Sequence, residues 1–139
     1  MIPFVVFDAS AALALVLTEE EGKDAAELLS SILTQNGQLH VPDLFWYEVC
    51  NGLISAERQK RIKANITRTT IAELRRMPFV SHASDDDSHI SATLELARKH
   101  DLTYYEAAYL ELALRCQARL KTYDSHLVSL KPAYPDVIL

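Results

Sequence analysis

Short apolar segments that alternate with helical patterns constrain the fold of this chain more than any other feature. The segment Pro3 to Asp8 contains four consecutive apolar residues and predicts a strand that is buried on both faces. Further strands are predicted at Gln38–Val41, Phe79–His82, Leu120–Tyr123 and Asp136–Leu139. Strands that alternate with helices predict an α/β fold in which helices cover both faces of a parallel sheet.

Apolar spacing and capping signals predict the helices between these strands. Pro42 and Asp43 are expected to open the helix that carries Glu48, and Thr103 is expected to form a capping box with Glu106. The acidic run 85–87 is expected to cap the start of the helix that continues to Lys99 rather than to bind a metal. The other predicted helices are Ala9–Leu17, Glu19–Leu33, the basic helix Ala64–Met77, Asp85–Lys99, Tyr104–Cys116 and Ser125–Leu130.

Composition indicates one globular domain that spans residues 1–139. Apolar residues make up 49% of the chain and charged residues 24%, which excludes a disordered chain. The apolar stretch from Ile2 to Leu17 is interrupted by Asp8 and lacks a basic flank, so it predicts neither a signal peptide nor a membrane span. We therefore expect a cytoplasmic protein that has no membrane partner, in which Cys50 and Cys116 are buried free thiols.

The charge of the chain is unevenly distributed. The net charge is −5, yet the segment from Arg58 to Arg76 contains seven basic residues and one acid. Such a basic stripe can follow a phosphate backbone even on an acidic protein. The alternative is a helix face that is simply solvated, and the sequence leaves both interpretations open.

Four acidic residues lie where strands end or helices begin: Asp8, Glu48, Glu106 and Asp124. No Lys or Arg lies within five residues of Asp8 or Glu48, so a local salt bridge does not explain either. Asp8 and Asp124 each follow a predicted strand, and ligands of open α/β sheets bind beyond the carboxyl ends of the strands. We therefore expect the four carboxylates to converge on one site.

A cluster of carboxylates suits a hard divalent cation such as Mg²⁺ or Mn²⁺. Such an ion would offset the mutual repulsion of the acids and could activate water for phosphoryl transfer. The five histidines show no zinc-ligand spacing, which favours surface or loop positions for them. His126, two residues after Asp124, is the histidine that could approach a substrate.

Four segments, in this order and spacing, resemble the PIN-domain ribonucleases, and most closely toxins of the VapC type: VVFDASAALAL, PDLFWYEVCNGL, LTYYEAAYLELAL and LKTYDSHL. The resemblance covers essentially the whole chain. It identifies Asp8 as the acid after the first strand, Glu48 and Asn51 as the E-x-x-N pair, and Thr122 and Asp124 as the T-x-D motif. Ser10 matches the small hydroxyl residue that commonly follows the first Asp. Glu106 departs from the pattern, because the family usually has Asp before Ala107, and the longer side chain puts full activity in doubt.

The resemblance implies a three-layer α/β/α fold with a mostly parallel, five-stranded sheet. It also implies Mg²⁺- or Mn²⁺-dependent cleavage of RNA (transfer RNA among the candidate substrates), homodimerisation, and inhibition by a cognate antitoxin. In this interpretation Asp8, Glu48, Glu106 and Asp124 are the catalytic and metal-binding residues, and Ser10, Asn51 and Thr122 support the bound metal.

Two other interpretations follow from single features of the sequence. The departure at Glu106 is compatible with a PIN-like domain that binds RNA or a protein partner without cleaving RNA. Asp8, Lys121 and a later Asp superficially resemble the phosphotransferases of the haloacid-dehalogenase type. Those enzymes need a second Asp two residues after the first, and this chain has Ser10 at that position.

Overall fold

The computed structural model describes residues 4–17 and 22–139. A parallel sheet of four strands runs through it in the order β3-β2-β1-β4. The strands are β1 (Phe4–Phe7), β2 (Gln38–Pro42), β3 (Phe79–His82) and β4 (Arg119–Lys121). The helices are α1 (Ala9–Val16), α2 (Gly22–Thr34), α3 (Leu44–Arg58), α4 (Ala64–Arg75), α5 (Asp87–His100), α6 (Tyr104–Arg115) and α7 (Ser125–Val128). The α/β class is therefore confirmed.

The expectation of five strands is wrong, because the segment from Asp136 to Leu139 does not form a regular strand. A single parallel bridge joins Ile138 to Leu120 of β4. The backbone N–H groups of Val137 and Ile138 both donate to the carbonyl of Tyr134, at 3.1 and 3.0 Å. The bridge uses the carbonyl of Val137 and the N–H of Leu139. Because the turn takes the N–H of Val137, that group cannot extend the ladder along β4.

Helices cover both faces of the sheet, as a three-layer fold requires. On one face, Val5 and Phe7 of β1 pack with Leu29 and Ile32 of α2. On the other face, Val6 packs with apolar residues of α3 and α6. Consecutive residues of β1 are thus buried on opposite sides, which explains why this strand is apolar at every position.

The strand order places a topological switch point between β1 and β4. The chain leaves β1 to form β2 on one side, and β4 later pairs with β1 on the other side. Side chains that follow β1 and β4 therefore meet at the edge of the sheet where α/β proteins bind ligands. Asp8 lies immediately after β1, and Asp124 lies three residues after β4.

Two glycines mark close approaches to α1. A Cβ atom at Gly22 would lie 2.3 Å from the backbone oxygen of Ala14, and one at Gly52 would lie 2.4 Å from Cδ1 of Leu13. These contacts bring α2 and α3 close to the helix that begins at Asp8. The glycines thereby help to set how near α3, which carries Glu48, lies to Asp8.

Several further predictions can be compared with the structure. The predicted starts at Pro3 and Glu19 lie outside the described residues. Cys50 and Cys116 are free, as expected, but each is half-buried. The expectation of surface or loop positions is wrong for His40, which is buried in β2. No helix in the described ranges is both long and apolar enough to cross a membrane.

Candidate active site

One small pocket of about 90 Å³ brings the four predicted acids together. Its lining includes Asp8, Glu48, Glu106 and Asp124, together with Ser10 and Tyr109. The acids come from four different elements and meet beyond the carboxyl ends of β1 and β4. The convergence expected from the strand order is therefore present in the fold.

Asp8 is the most buried of the four acids, with 3% of its surface exposed. It caps α1, and its Oδ1 accepts hydrogen bonds from the backbone N–H of Ala11 at 2.9 Å and from Oγ of Ser10 at 2.6 Å. Oγ1 of Thr122 donates to Oδ2. Burial raises the pKa of Asp8 to about 6, although these hydrogen bonds favour the ionised form.

The hydroxyl groups of Ser10 and Thr122 connect the end of β4 to the start of α1. Each donates to the Asp8 carboxylate and accepts a backbone N–H, from Tyr123 for Ser10 and from Asp124 for Thr122, both at 2.9 Å. The two hydroxyls thus fix the orientation of Asp8. Ser10 and Thr122, two of the three residues predicted to support a metal, therefore contact Asp8 directly.

Glu48 is held by a residue that the sequence analysis did not identify. Oη of Tyr109 donates to Oε1 of Glu48 at 2.6 Å. Burial raises the pKa of Glu48, and the nearby charges of Asp124 and Glu106 raise it further. Tyr109 lies three residues after Glu106 in α6, and this i, i+3 spacing was the available signal.

Asn51 is exposed, and no hydrogen bond joins it to Glu48 within the part of the chain that the structure describes. The described residues therefore show no hydrogen bond through which Asn51 could support Glu48. The i, i+3 spacing of the E-x-x-N motif places both side chains on one side of α3, but only Glu48 reaches the pocket.

Glu106 uses both of its oxygens in hydrogen bonds. Its Oε2 accepts the backbone N–H of Thr103 at 2.8 Å, and Oγ1 of Thr103 accepts the backbone N–H of Glu106 at 3.1 Å, which confirms the capping box. Its Oε1 pairs with Nδ1 of His126 at 2.9 Å. Burial favours a higher pKa for Glu106, but the bonds from Thr103 and His126 outweigh it and lower the pKa.

Asp124 caps the short helix α7 through one oxygen. Oδ1 accepts the backbone N–H groups of His126 and Leu127, at 3.0 and 3.1 Å. Among the described residues, Oδ2 of Asp124 and Oε2 of Glu48 accept no hydrogen bond. Each of these two acids therefore has a free oxygen at the pocket.

The donor set fits a hard divalent cation. Ligand atoms of Glu106, Asp124 and His126 lie within 4.8 Å of one another, and Asp8 and Glu48 line the same pocket. Carboxylate oxygens are the ligands that Mg²⁺ and Mn²⁺ prefer. The raised pKa values of Asp8 and Glu48 indicate that keeping these acids ionised in the pocket costs free energy. Such perturbed pKa values are the expected electrostatic signature of a functional site.

Comparisons with known proteins agree with this arrangement. The model of the PIN domain family matches residues 5–131. The chain is 32% identical over 129 residues to Ribonuclease VapC3 of Pyrobaculum aerophilum, a match that covers 93% of this chain and 95% of the relative.

Solved structures with lower identity show the same fold. A toxin–antitoxin complex from Klebsiella pneumoniae matches 97% of this chain and 96% of the solved chain, at 18% identity and a TM-score of 0.65. VapBC2 of Rickettsia felis, bound to a DNA fragment from its promoter, matches 98% and 96%, at 12% identity and a TM-score of 0.68. The matched family model and the matched relative each cover most of the sequence, and the family match includes all four acids of the pocket. The chain therefore belongs to the PIN domain family.

Proposed function

We propose that this chain is a metal-dependent endoribonuclease of the VapC toxin type, which uses Mg²⁺ or Mn²⁺ and is inhibited by a cognate antitoxin. The observation that carries the proposal is the pocket in which Asp8, Glu48, Glu106 and Asp124 converge. The similarity to a protein named Ribonuclease VapC3 supports RNA as the substrate.

The free oxygens of Glu48 and Asp124 are the atoms best suited to hold the ion. Asp8 lies deeper in the same pocket. A bound divalent ion would act as a Lewis acid and would lower the pKa of a bound water. Ser10 and Thr122 keep the Asp8 carboxylate oriented toward the pocket. Tyr109 holds one oxygen of Glu48 and leaves the other available.

His126 and the basic stripe are suited to interact with the negative charge of RNA. His126 is exposed at the pocket rim, and its hydrogen bond to Glu106 raises its pKa, which favours the cationic form. The seven basic residues between Arg58 and Arg76 are all exposed, so this surface can approach the phosphates of RNA. We expect this surface to contribute affinity rather than sequence specificity.

The similarity to solved toxin–antitoxin complexes supports the antitoxin as a partner, and we further expect a homodimer that acts in the cytoplasm. The second candidate function is a PIN-like domain that binds RNA or a protein without cleavage. One observation favours it, because both oxygens of Glu106 are engaged by Thr103 and His126.

Cleavage of labelled RNA by the purified chain tests the proposal. The Asp8→Asn variant is expected to lose Mg²⁺-dependent cleavage, because it removes the buried charge at the base of the pocket. Asp85→Asn, which changes an exposed acid outside the pocket, is the matched control and should cleave like the native chain. RNA binding without cleavage by the native chain would favour the second function, and full activity of a folded Asp8→Asn protein would exclude the proposed site.

A further inference from the structure

A second cluster of metal-ligating side chains lies outside the acidic pocket. His40, His82 and Cys116 each offer a ligand atom within 4.8 Å of the other two. Nδ1 of His40 and Nε2 of His82 are 2.7 Å apart. The residues come from three elements: His40 from the middle of β2, His82 from the end of β3, and Cys116 from the C-cap of α6.

His40 is an unusual residue to bury at this position. Only 9% of its surface is exposed, and its Nε2 atom has no hydrogen-bond partner among the described residues. The contact with His82 shares a single proton between two rings, so one nitrogen of His40 is unsatisfied in either tautomer. A buried unsatisfied polar atom costs stability, so the burial of His40 calls for an explanation. The nitrogen that faces His82 is Nδ1, and it is the one that a metal between the two rings would contact.

The chemistry of the three donors selects a particular class of ion. Two imidazoles and one thiolate are the ligands of zinc and related transition metals, whereas Mg²⁺ and Mn²⁺ prefer oxygen. Burial lowers the pKa of both imidazoles, which favours their neutral forms. The charge of His82 lowers the pKa of His40 further, and the charge of Arg115 lowers the pKa of His82 further. Each neutral ring has one lone pair, and the ring that donates the shared proton must change tautomer to direct its lone pair at a metal.

Charged groups beside the cluster form an ion pair of their own. Nε of Arg115 lies 2.9 Å from Oε1 of Glu111. Both charges act on His82 and on Cys116, and His89 of α5 also acts on His82. Burial raises the pKa of the Cys116 thiol, so a metal must displace its proton on binding.

We propose that His40, His82 and Cys116 bind a zinc ion, with water completing the coordination, and that this ion links β2, β3 and α6. Two imidazole nitrogens on a tetrahedral zinc ion lie roughly 3.3 Å apart when each bond is about 2.0–2.1 Å. The distance between Nδ1 of His40 and Nε2 of His82, which is 2.7 Å, must therefore increase slightly when zinc binds. His82 is half-buried at the end of an edge strand, and it is the residue free to make this shift.

The zinc site is separate from the acidic pocket. Glu106 lies in the first turn of α6 and Cys116 at its C-cap. Ten residues of α-helix span about 15 Å. Zinc binding is thus independent of the proposed ribonuclease activity and can be measured without it.

The test is titration of the purified, untagged full chain with ZnCl₂, followed by calorimetry, and with CoCl₂, followed by absorption. We expect one zinc ion per chain and a thiolate-to-cobalt charge-transfer band. Cys116→Ser should abolish the band, and His82→Gln should weaken zinc binding by more than about tenfold. Both residues are only half-buried, so these variants are expected to fold.

Matched controls separate this site from others in the chain. Cys50→Ser changes the other half-buried free cysteine, and His100→Gln changes a histidine that bonds Oη of Tyr134 instead. Both should bind zinc like the native chain. Zinc affinity that is unchanged in both Cys116→Ser and His82→Gln would overturn the proposal.

Discussion

At the scale of single residues, the site depends on how each carboxylate is held. Asp8 is surrounded by donors and is almost inaccessible, whereas Glu48 and Asp124 each keep one oxygen free. The acids therefore differ in role although they share one pocket. The buried acid fixes the charge at the base of the site, and the half-buried acids present ligand atoms.

Burial of Asp8 should make the stability of the metal-free chain depend on pH. The folded-state pKa of about 6 lies above the ordinary value of 3.8, so the native chain binds a proton that the unfolded chain releases. The stabilising contribution is complete below pH 3.8 and is lost as pH rises through 6. The difference between the two pKa values corresponds to about 3 kcal/mol.

Urea unfolding of the native chain and of Asp8→Asn, both in a chelator, measures this contribution. Between pH 4 and pH 7 the free energy of unfolding of Asp8→Asn should rise by about 2 kcal/mol relative to the native chain. A constant difference between the two proteins across this range would show that Asp8 does not titrate as its burial implies.

Glu106 allows charge and capping to be separated. Gln also serves as the third helical residue of a capping box, so Glu106→Gln should fold normally while it removes the charge. We expect RNA cleavage to fall by more than about tenfold, which corresponds to about 1.4 kcal/mol. Glu106→Asp should retain cleavage because it keeps the charge.

Titration of His126 by NMR gives a readout of the same variants that does not need activity. The hydrogen bond to Glu106 is the main cause of the raised pKa of His126, so this pKa should fall in Glu106→Gln. The pKa of His126 could fall in Glu106→Gln while the rate of RNA cleavage stays unchanged in both Mg²⁺ and Mn²⁺. In that case Glu106 only caps the start of its helix, and the site depends on three carboxylates.

At the scale of elements, the sequence predicted the type and order of almost every helix and strand. Contiguous apolar residues identified β1, and local capping signals identified the starts of α5 and α6, because these depend on neighbouring residues. The prediction of a last strand at Asp136–Leu139 was wrong. A turn at Tyr134 uses the N–H of Val137 that a longer ladder would need, and the apolar pattern does not encode that competition.

The two glycines beside α1 should differ in their tolerance of a side chain. Gly22→Ala would drive a Cβ atom into the backbone oxygen of Ala14, and we expect it to cost about 1–3 kcal/mol. Gly52→Ala meets only the end of the Leu13 side chain, which can move. It also gains about 1 kcal/mol of helix propensity, so its net effect should be smaller.

Thermal or urea unfolding of both variants measures the difference between the two positions. Each is the control for the other, since both add one methyl group next to α1. Equal losses of stability would contradict the distinction between a rigid backbone neighbour and a mobile side chain.

At the scale of the whole molecule, the fold brings like charges together, and this should couple stability to metal. Burial is the main cause of the raised pKa values of Asp8 and Glu48, and repulsion from neighbouring acids adds to it. A divalent ion that binds only the native state would stabilise these carboxylates. Millimolar Mg²⁺ or Mn²⁺ should therefore raise the melting temperature, and Asp124→Asn should reduce this rise without lowering the stability of the metal-free chain.

Differential scanning fluorimetry with and without each metal measures the effect, and Asp85→Asn provides the control for a lost charge outside the pocket. A melting temperature that stays constant up to tens of millimolar metal would argue against a metal site among the four acids.

Long-range contacts mark the limit of what the sequence alone could predict. The four acids were identified because their positions follow strand ends and helix starts. The hydrogen bond between Tyr109 and Glu48 joins residues 61 positions apart, and the cluster at His40 needs the register of β2 against β3. The spacing of Tyr109 from Glu106 is a local signal for the tyrosine alone, and the pair of His40 and His82 has no local signature in the sequence.

The hydrogen bond between Thr122 and Asp8 spans 114 positions of the chain and joins its two ends at the pocket. No contiguous fragment that excludes either end could hold the same carboxylate geometry. Genetic selection for loss of toxicity should consequently recover substitutions scattered through the buried core, and the changes should not be confined to the four acids. If the chain is a toxin, its harmful activity appears only when synthesis and folding are complete, which leaves a nascent polypeptide harmless to the ribosome that makes it.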